Sequence, residues 1–452
     1  MNRLLLEAPV GRLFARYLFP TVCATSVTAI YLFADTVMVG YRLGAEGVAA
    51  LNLIVPLEFA FFAVGSLLGN GGGICFTRRL SVGDVRGARR CFTVAVCAGA
   101  IFAAVATALC LLFLRPLVAH VLGAGEGPFL DAAVSYGLPI AAGCPLFVAT
   151  LLLAPFLRHD HAPRRAMAAV LAGGLTNIVL DWVFMYPMDL GLFGAGLATT
   201  CGAGVTTAVL LTHFRSPTRM TRWERPDWRL LPRVAWFGGG DFLQELTGSV
   251  SVMCFNRLAL GALGEPGLAI YGVVANYLLT MTAVFNGVAQ AAHPLTAANA
   301  AAGARRRVRK ILRLALGTAA GFGLAGLAVA AGAPTLCLRA FLPEAEIVAL
   351  PTQATAALAT ALLCLPFMGV AQIATLQLPA VGHPARGTVF ACLRSGALLL
   401  PFGLALSALF GPWSIWWAFA AAEAAVVPPL LLALSHFLRR HAEDGGGRVQ
   451  VG

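Results

Sequence analysis

Asn177 and Asp181 stand four residues apart in the apolar run TNIVLDWVFM, so a helix sets them on one face, a turn from each other. Asp35 is the single acid of another apolar run, YLFPTVCATSVTAIYLFADTVMVG, which opens at Tyr17 and carries Pro20 near its start. Together they offer two carboxylates and an amide. Hard oxygens of this kind suit a small cation, and two close acids share one proton because like charges disfavour double ionisation. Proton and sodium are both compatible with the set; for sodium, Asp35, Asn177 and Asp181 are the expected ligands. Asp241 and Glu245 form a second pair four apart, with Glu245 the deeper of the two, and Glu58 follows Pro56 in a further apolar run. An ionisable side chain inside an apolar segment is costly, so each is a functional candidate. The proline in the Asp35 segment removes a helix hydrogen bond and favours a kink.

The segments that must hold these groups span a membrane. The 452 residues are 59% hydrophobic and 12% charged, and the mean hydropathy is +0.81. Soluble domains carry about 25% charged residues, so a soluble fold is excluded. Twelve spans are expected, near 14–39, 47–76, 90–114, 129–157, 164–187, 192–214, 233–260, 266–300, 309–331, 347–379, 386–409 and 413–438. With the N-terminus in the cytoplasm, roughly 28 of the 32 basic residues fall on the cytoplasmic side, leaving Arg42, Arg115, Arg257 and Arg339 outside. This is the bias of the positive-inside rule. The net charge of +12 is therefore a topology signal, not a nucleic-acid-binding one, and both termini are expected in the cytoplasm. The opening MNRLLLEAPVGRLFARYLFP lacks a separable apolar core with a cleavage site and reads as an interfacial segment.

The chain also repeats itself. Shifted by 220 residues, LGAEGVAALNLIVP (43–56) falls on LGEPGLAIYGVVAN (263–276), and Gly83, Arg86, Arg89 and Arg90 fall on Gly303, Arg306, Arg309 and Lys310. Pro163 and Arg165 meet Pro384 and Arg386 at a shift of 221. The expected fold is an all-α membrane protein of twelve transmembrane helices in two pseudo-symmetric six-helix lobes. The lobes are 1–214 and 233–438, joined by a linker at 215–232 and followed by a tail at 439–452. Six spans per half make the repeat parallel, with a central cavity between the halves as the expected substrate site.

The eleven cysteines form no C-x-x-C pair and read as small buried hydrophobes. His159 and His161 lie two apart in a loop, a weak metal signal. The run Gly69-Asn70-Gly71-Gly72-Gly73 lacks a following G-K-[ST] and reads as a packing or hinge element. No nucleophile–base set or nucleotide motif stands out, so the protein is expected not to be an enzyme and to need no cofactor beyond a coupling ion.

Several segments resemble the multidrug and toxic compound extrusion (MATE) transporters. They are EAPVGRLFARYLFP, YLFADTVMVGYRLGAEGVAALNLIVP, GNGGGICFTRRLSVGD, TNIVLDWVFMYPMDLGLFGAGLATT, FLQELTGSVSVMCFNRLALGALG, GVAQAAHPLTAANAAAG and LRSGALLLPFGL. The resemblance implies secondary active efflux of bulky, mostly cationic amphiphiles, exchanged for protons or sodium as two lobes rock. It implies an ion-coupling site of Asp35, Asn177, Asp181 and Thr199. Glu245 matches the helix 7 acid, and Glu245, Asn256, Gln372 and Glu58 are the expected substrate-cavity residues. The chain departs from the family at Gly238-Gly239-Gly240, at the absent helix 10 carboxylate (Gln372 lies there) and at Ala298-Asn299-Ala300. Those departures and the two first-lobe acids favour protons, while Asn177 and Thr199 would add neutral oxygens for sodium. Expected partners are small organic cations and membrane lipids, with no nucleic acid, in a monomer of the bacterial inner membrane. The rival reading is a flippase for a lipid-linked oligosaccharide or peptidoglycan precursor, which would need cavity arginines.

Overall fold

The computed structural model describes residues 8–440 except 82, 161, 217–218, 342–343, 345–352 and 382. His161 and the expected start of the tenth span, 347–352, therefore lie outside the described residues. The described chain is helical, without strands. Two very long helices, Val10–Ser81 and Leu231–Ala301, are each broken once, at Gly44 and at Gly264. Their arms are α1 (10–43), α2 (45–81), α7 (231–263) and α8 (265–301). Between them come α3 (Val85–Pro116), α4 (Pro128–Ala142 and Cys144–His159, bent by 51°), α5 (Pro163–Met185) and α6 (Gly191–Leu211). After them come α9 (Arg305–Gly332), α10 (Ala354–Leu362 and Leu365–Gln377), α11 (384–410) and α12 (412–440). These twelve arms match the twelve apolar runs. They form because each run is long and apolar enough to cross a bilayer, and in lipid the backbone must satisfy its own hydrogen bonds. Prolines at the first turn open the α4, α5 and α11 helices, where a missing N–H costs nothing.

The repeat seen in the sequence recurs in the backbone. Gly44 has φ 69°, ψ −162° and Gly264 has φ 70°, ψ −165°. This region is open essentially to glycine alone, so the same residue breaks both helices in the same way. The turn that follows each pair also repeats. Asp84 N–H donates to Arg79 O at 2.9 Å, and Ala304 N–H to Asn299 O at 2.8 Å. At the shift of 221, Ala162 N–H donates to Leu157 O at 2.8 Å and His383 N–H to Leu378 O at 2.9 Å.

Close contacts gather the chain into two compact units. One holds 31–272 and 341–349; the other holds 1–30, 273–340 and 350–452. These units are cut by contact, whereas 1–214 and 233–438 are cut by the repeat. By contact α7 belongs with α2, because Asn52 Nδ2 donates to Asn256 Oδ1 at 3.0 Å and Asn256 Nδ2 returns a bond to Asn52 O at 3.0 Å. Ser249 Oγ adds a bond to Pro56 O at 2.7 Å, accepted by the carbonyl of that α2 proline.

Candidate functional site

Within the first unit, α1, α2, α4, α5 and α6 bring a group of polar side chains together. Asp35 (α1) is 6% exposed, Asn177 (α5) 4% and Asp181 (α5) fully buried. Two turns beyond Asp35, Arg42 pairs with Asp189 at 2.6 Å and donates to Met185 O at 3.3 Å, tying the end of α1 to the end of α5. Both ion-pair partners are exposed, so the tie sets register more than stability. On the other side of α5, glycines let α6 approach: a Cβ on Gly202 would lie 2.9 Å from Gly173 O and 3.0 Å from Asn177 Cβ. Small residues at helix contacts in membranes serve this close approach.

Tyr136 on α4 is the residue the sequence did not mark. It is buried, and its hydroxyl donates to Glu58 Oε1 at 3.3 Å, so the α2 acid pairs with a neighbouring hydroxyl. Thr199 lies within reach of the same hydroxyl, and all three acids, Glu58, Asp35 and Asp181, act on it electrostatically. Thr200 next door donates to Pro139 O at 2.9 Å, which fixes α6 against the bend of α4. Asp35 lies within electrostatic reach of both Glu58 and Asp181. One oxygen of Asp35, both oxygens of Asp181 and the amide nitrogen of Asn177 are buried without a well-formed hydrogen bond among the described residues, Asn177 and Asp181 lying within interaction range of each other. Buried polar atoms are almost always satisfied, so this cluster is built to receive something. All four expected ion-coupling residues, Asp35, Asn177, Asp181 and Thr199, are thus gathered, together with Glu58 and Tyr136.

The other expected cavity residues sit elsewhere. Glu245 is partly buried beside Asp241, whose carboxylate accepts from Asn70 Nδ2 at 2.9 Å. Asn256 is fully buried and its amide is taken up by Asn52. Gln372 belongs to the second unit. Its Nε2 donates to Asn286 Oδ1 at 2.6 Å and its Oε1 accepts from Arg394 Nη1. Arg394 in turn holds Glu423 through two bonds of 3.0 Å. A π-turn at Leu393–Ala397, with Gly396 at φ 151°, carries Arg394 at the point where α11 is interrupted. Arg257 donates to His120 O at the turn after α3 and does not pair with Glu58. His159 accepts or donates at Thr77 Oγ1, 2.9 Å away. Among the described residues no three His, Cys, Asp or Glu groups converge on one point as metal ligands.

Twelve apolar helices in two halves related by a repeat, with a buried acidic group in the first, define a multi-pass membrane protein of the transporter type. The MatE family model matches residues 20–183 and 243–404, and the chain belongs to that family. It is similar to the multidrug export protein MepA of Staphylococcus saprophyticus, 24% identical over 408 residues, which cover 89% of each chain. Among solved structures, an inward-facing multidrug resistance MATE transporter of the MOP superfamily superposes with a TM-score of 0.81 at 22% identity, over 91% of this chain and 96% of that one. The MATE multidrug transporter DinF-BH, solved as a complex, gives 0.77 at 22% identity, over 95% and 96%. These likenesses carry the fold.

Proposed function

We propose that this protein is a secondary active antiporter that exports cationic amphiphilic drugs or toxins in exchange for protons, by alternating access. The observation that carries the reading is the buried group of Asp35, Asp181 and Glu58 with Asn177, Thr199 and Tyr136. No arginine or lysine is paired with its carboxylates among the described residues. Like charges so close and out of water call for a compensating cation. In one state a proton supplies it; in the other a cationic substrate competes for the same charge. Taking up the proton lowers the cost of bending or repacking α1 at Pro20, and releasing it restores the attraction for substrate. The relatives' role in multidrug export supports the substrate class.

Protons are favoured over sodium because two close acids out of water can share one proton, and because the helix 10 carboxylate is absent, Gln372 lying in that region. Sodium would be liganded by Asp35, Asn177 and Asp181. Acids, not arginines, line the group, which does not suit the pyrophosphate of a lipid-linked precursor. In this reading the protein is a monomer of the bacterial inner membrane, and the arginine distribution supports cytoplasmic termini and a cytoplasmic linker 215–232. Efflux of a fluorescent cation from proteoliposomes at fixed membrane potential tests the reading. An acid exterior without sodium should drive export; drive by an inward sodium gradient alone, with none from the pH gradient, would reassign Asp35 as a sodium ligand.

A further inference from the structure

The two halves differ where helices α3 and α9 begin, and the difference leaves an anion site in the second half alone. In the first half, Asp84 caps α3 by accepting from Gly87 N–H at 2.8 Å and pairs with Arg79 at 2.5 Å. The repeat shift of 220 places Ala304 at that position, so α9 opens with no side-chain cap and no acid in its first turn. Yet its first nine residues include Arg305, Arg306, Arg307, Arg309, Lys310 and Arg313. Cations crowded at a helix N-terminus oppose the helix dipole, and both together favour a bound anion. No described carboxylate pairs with Arg306, Arg309, Lys310 or Arg313.

The apolar space beside them differs in the same sense. In the first half, Phe92 and Phe214 pack ring to ring with centroids 5.6 Å apart, and the linker lies over α3, with Glu224 N–H donating to Thr93 Oγ1 at 3.1 Å. At the shift of 220 the repeat-mates of Phe92 and Thr93 are Leu312 and Arg313, and at the later shift of 221 that of Phe214 is Ser435. Where the first half has two rings, the second has Leu312 and Ser435, beside an open groove of about 440 Å³ between α9 and α12 that Arg309, Arg313, Leu316, Leu431 and Leu434 also line. A second, of about 390 Å³, adjoins it at Arg309 and Arg313 and reaches Arg306 and Lys310. Basic residues lie at its mouth and leucines line its wall, where a transmembrane helix enters the headgroup layer.

We propose that this groove between α9 and α12 holds an anionic phospholipid, its phosphate on Arg309 and Arg313 and an acyl chain along Leu312, Leu316, Leu431 and Leu434. Basic pockets between transmembrane helices bind anionic headgroups in this way. In the first half the ring pair, the linker and Asp84 occupy the equivalent volume and charge.

Native mass spectrometry of the full chain, released from mixed phosphatidylglycerol and phosphatidylcholine nanodiscs, tests it. The wild type should retain phosphatidylglycerol over phosphatidylcholine. Arg309→Gln with Arg313→Gln should lower that preference on the order of tenfold, from about a kilocalorie per basic residue at the surface. Leu312→Phe with Ser435→Phe should abolish it while every charge remains, and Ala304→Asp, a surface helix cap, should weaken it without touching the groove. Millimolar inorganic phosphate should not displace the lipid. Unchanged preference in the charge-deleted or the ring-filled variant overturns the proposal, as does displacement by inorganic phosphate. Preference that appears only when residues 441–452 are removed assigns the groove to the tail acids Glu443 and Asp444 and overturns it too.

Discussion

Asp160→Asn should free the linker between the two halves. Asp160 lies in the turn between α4 and α5, and its carboxylate is buried. It accepts from Met220 N–H at 2.9 Å, Thr221 N–H at 3.1 Å, Thr221 Oγ1 at 2.6 Å and His213 Nε2 at 2.8 Å. Arg165 Nη1 stands 3.2 Å from the other ring nitrogen, Nδ1, so that nitrogen accepts and Nε2–H donates to Asp160. An amide here turns a donor towards donors and removes the charge. Removing one partner of a buried charged network costs about 3 kcal/mol or more. A local opening equilibrium moved by that much is roughly a hundredfold more populated, and proteolysis of the open form follows it. Limited trypsin digestion of the purified protein should therefore cut after the exposed Arg215 and Arg222 roughly a hundred times faster in the variant. A change within twofold would refute the argument. The pH dependence has a definite sign. Burial pushes the Asp160 carboxyl up, but the bonds from Thr221, His213 and Met220 outweigh it and hold the group below its ordinary value. A depressed folded value means the stabilisation is present above the unfolded value and is lost only as pH falls through the folded one. The contribution of the Asp160 carboxylate should thus be fully present above the ordinary carboxylate range and be lost only as pH falls below it.

Asp35→Asn should abolish gradient-driven efflux at normal membrane abundance, Asp181→Asn should weaken it strongly and Asn177→Ala less; wild-type export by the Asp35 variant would remove the coupling site. Gly264→Ala should cost about 1–3 kcal/mol in thermal unfolding from backbone strain alone, since the nearest atom to the added Cβ is Pro266 Cδ at an ordinary 3.7 Å; Gly44→Ala should cost as much because its dihedral angles match. Glu423→Gln should lower stability by about 3–5 kcal/mol by stranding Arg394, whereas replacing both with methionine should cost less; equal losses would show that the pair is not what holds α11 on α12. A cysteine at Ser216 should resist an impermeant thiol reagent added to intact cells, and labelling from outside would invert the topology.

The twelve spans were legible because apolar runs are long and their ends carry Gly, Pro and Arg. The twin breaks at Gly44 and Gly264 fall in the short gaps that the pattern left between spans. Asp35, Asn177 and Asp181 stood out because a polar group in an apolar run is too costly to be incidental. Tyr136 did not, since tyrosine is amphipathic and common in membrane proteins without any role in coupling. Its importance comes from Glu58, 78 residues earlier, and no local pattern shows that pairing. The mutual lock of Asn52 and Asn256 spans 204 residues and is likewise invisible until α2 and α7 are packed. Asp160 carries no local signal in the sequence; only the folded linker turns it into a buried acceptor.

The linker between the repeats is not a slack tether. Asp160 fastens it at Met220 and Thr221, Thr93 fastens it again at Glu224, and Leu230 is buried just before α7 begins. From Thr221 to Leu231 only about ten residues run, at most about 35 Å when fully stretched. With those fixed points, the start of α7 is moored to the α4–α5 turn and to the head of α3. A transport stroke that displaced the start of α7 would have to drag its moorings along or break them. Under the alternating-access reading proposed above, the compliance would then reside in the helices themselves, and the glycine breaks and prolines within α1, α4, α7–α8 and α11 are where the chain can supply it.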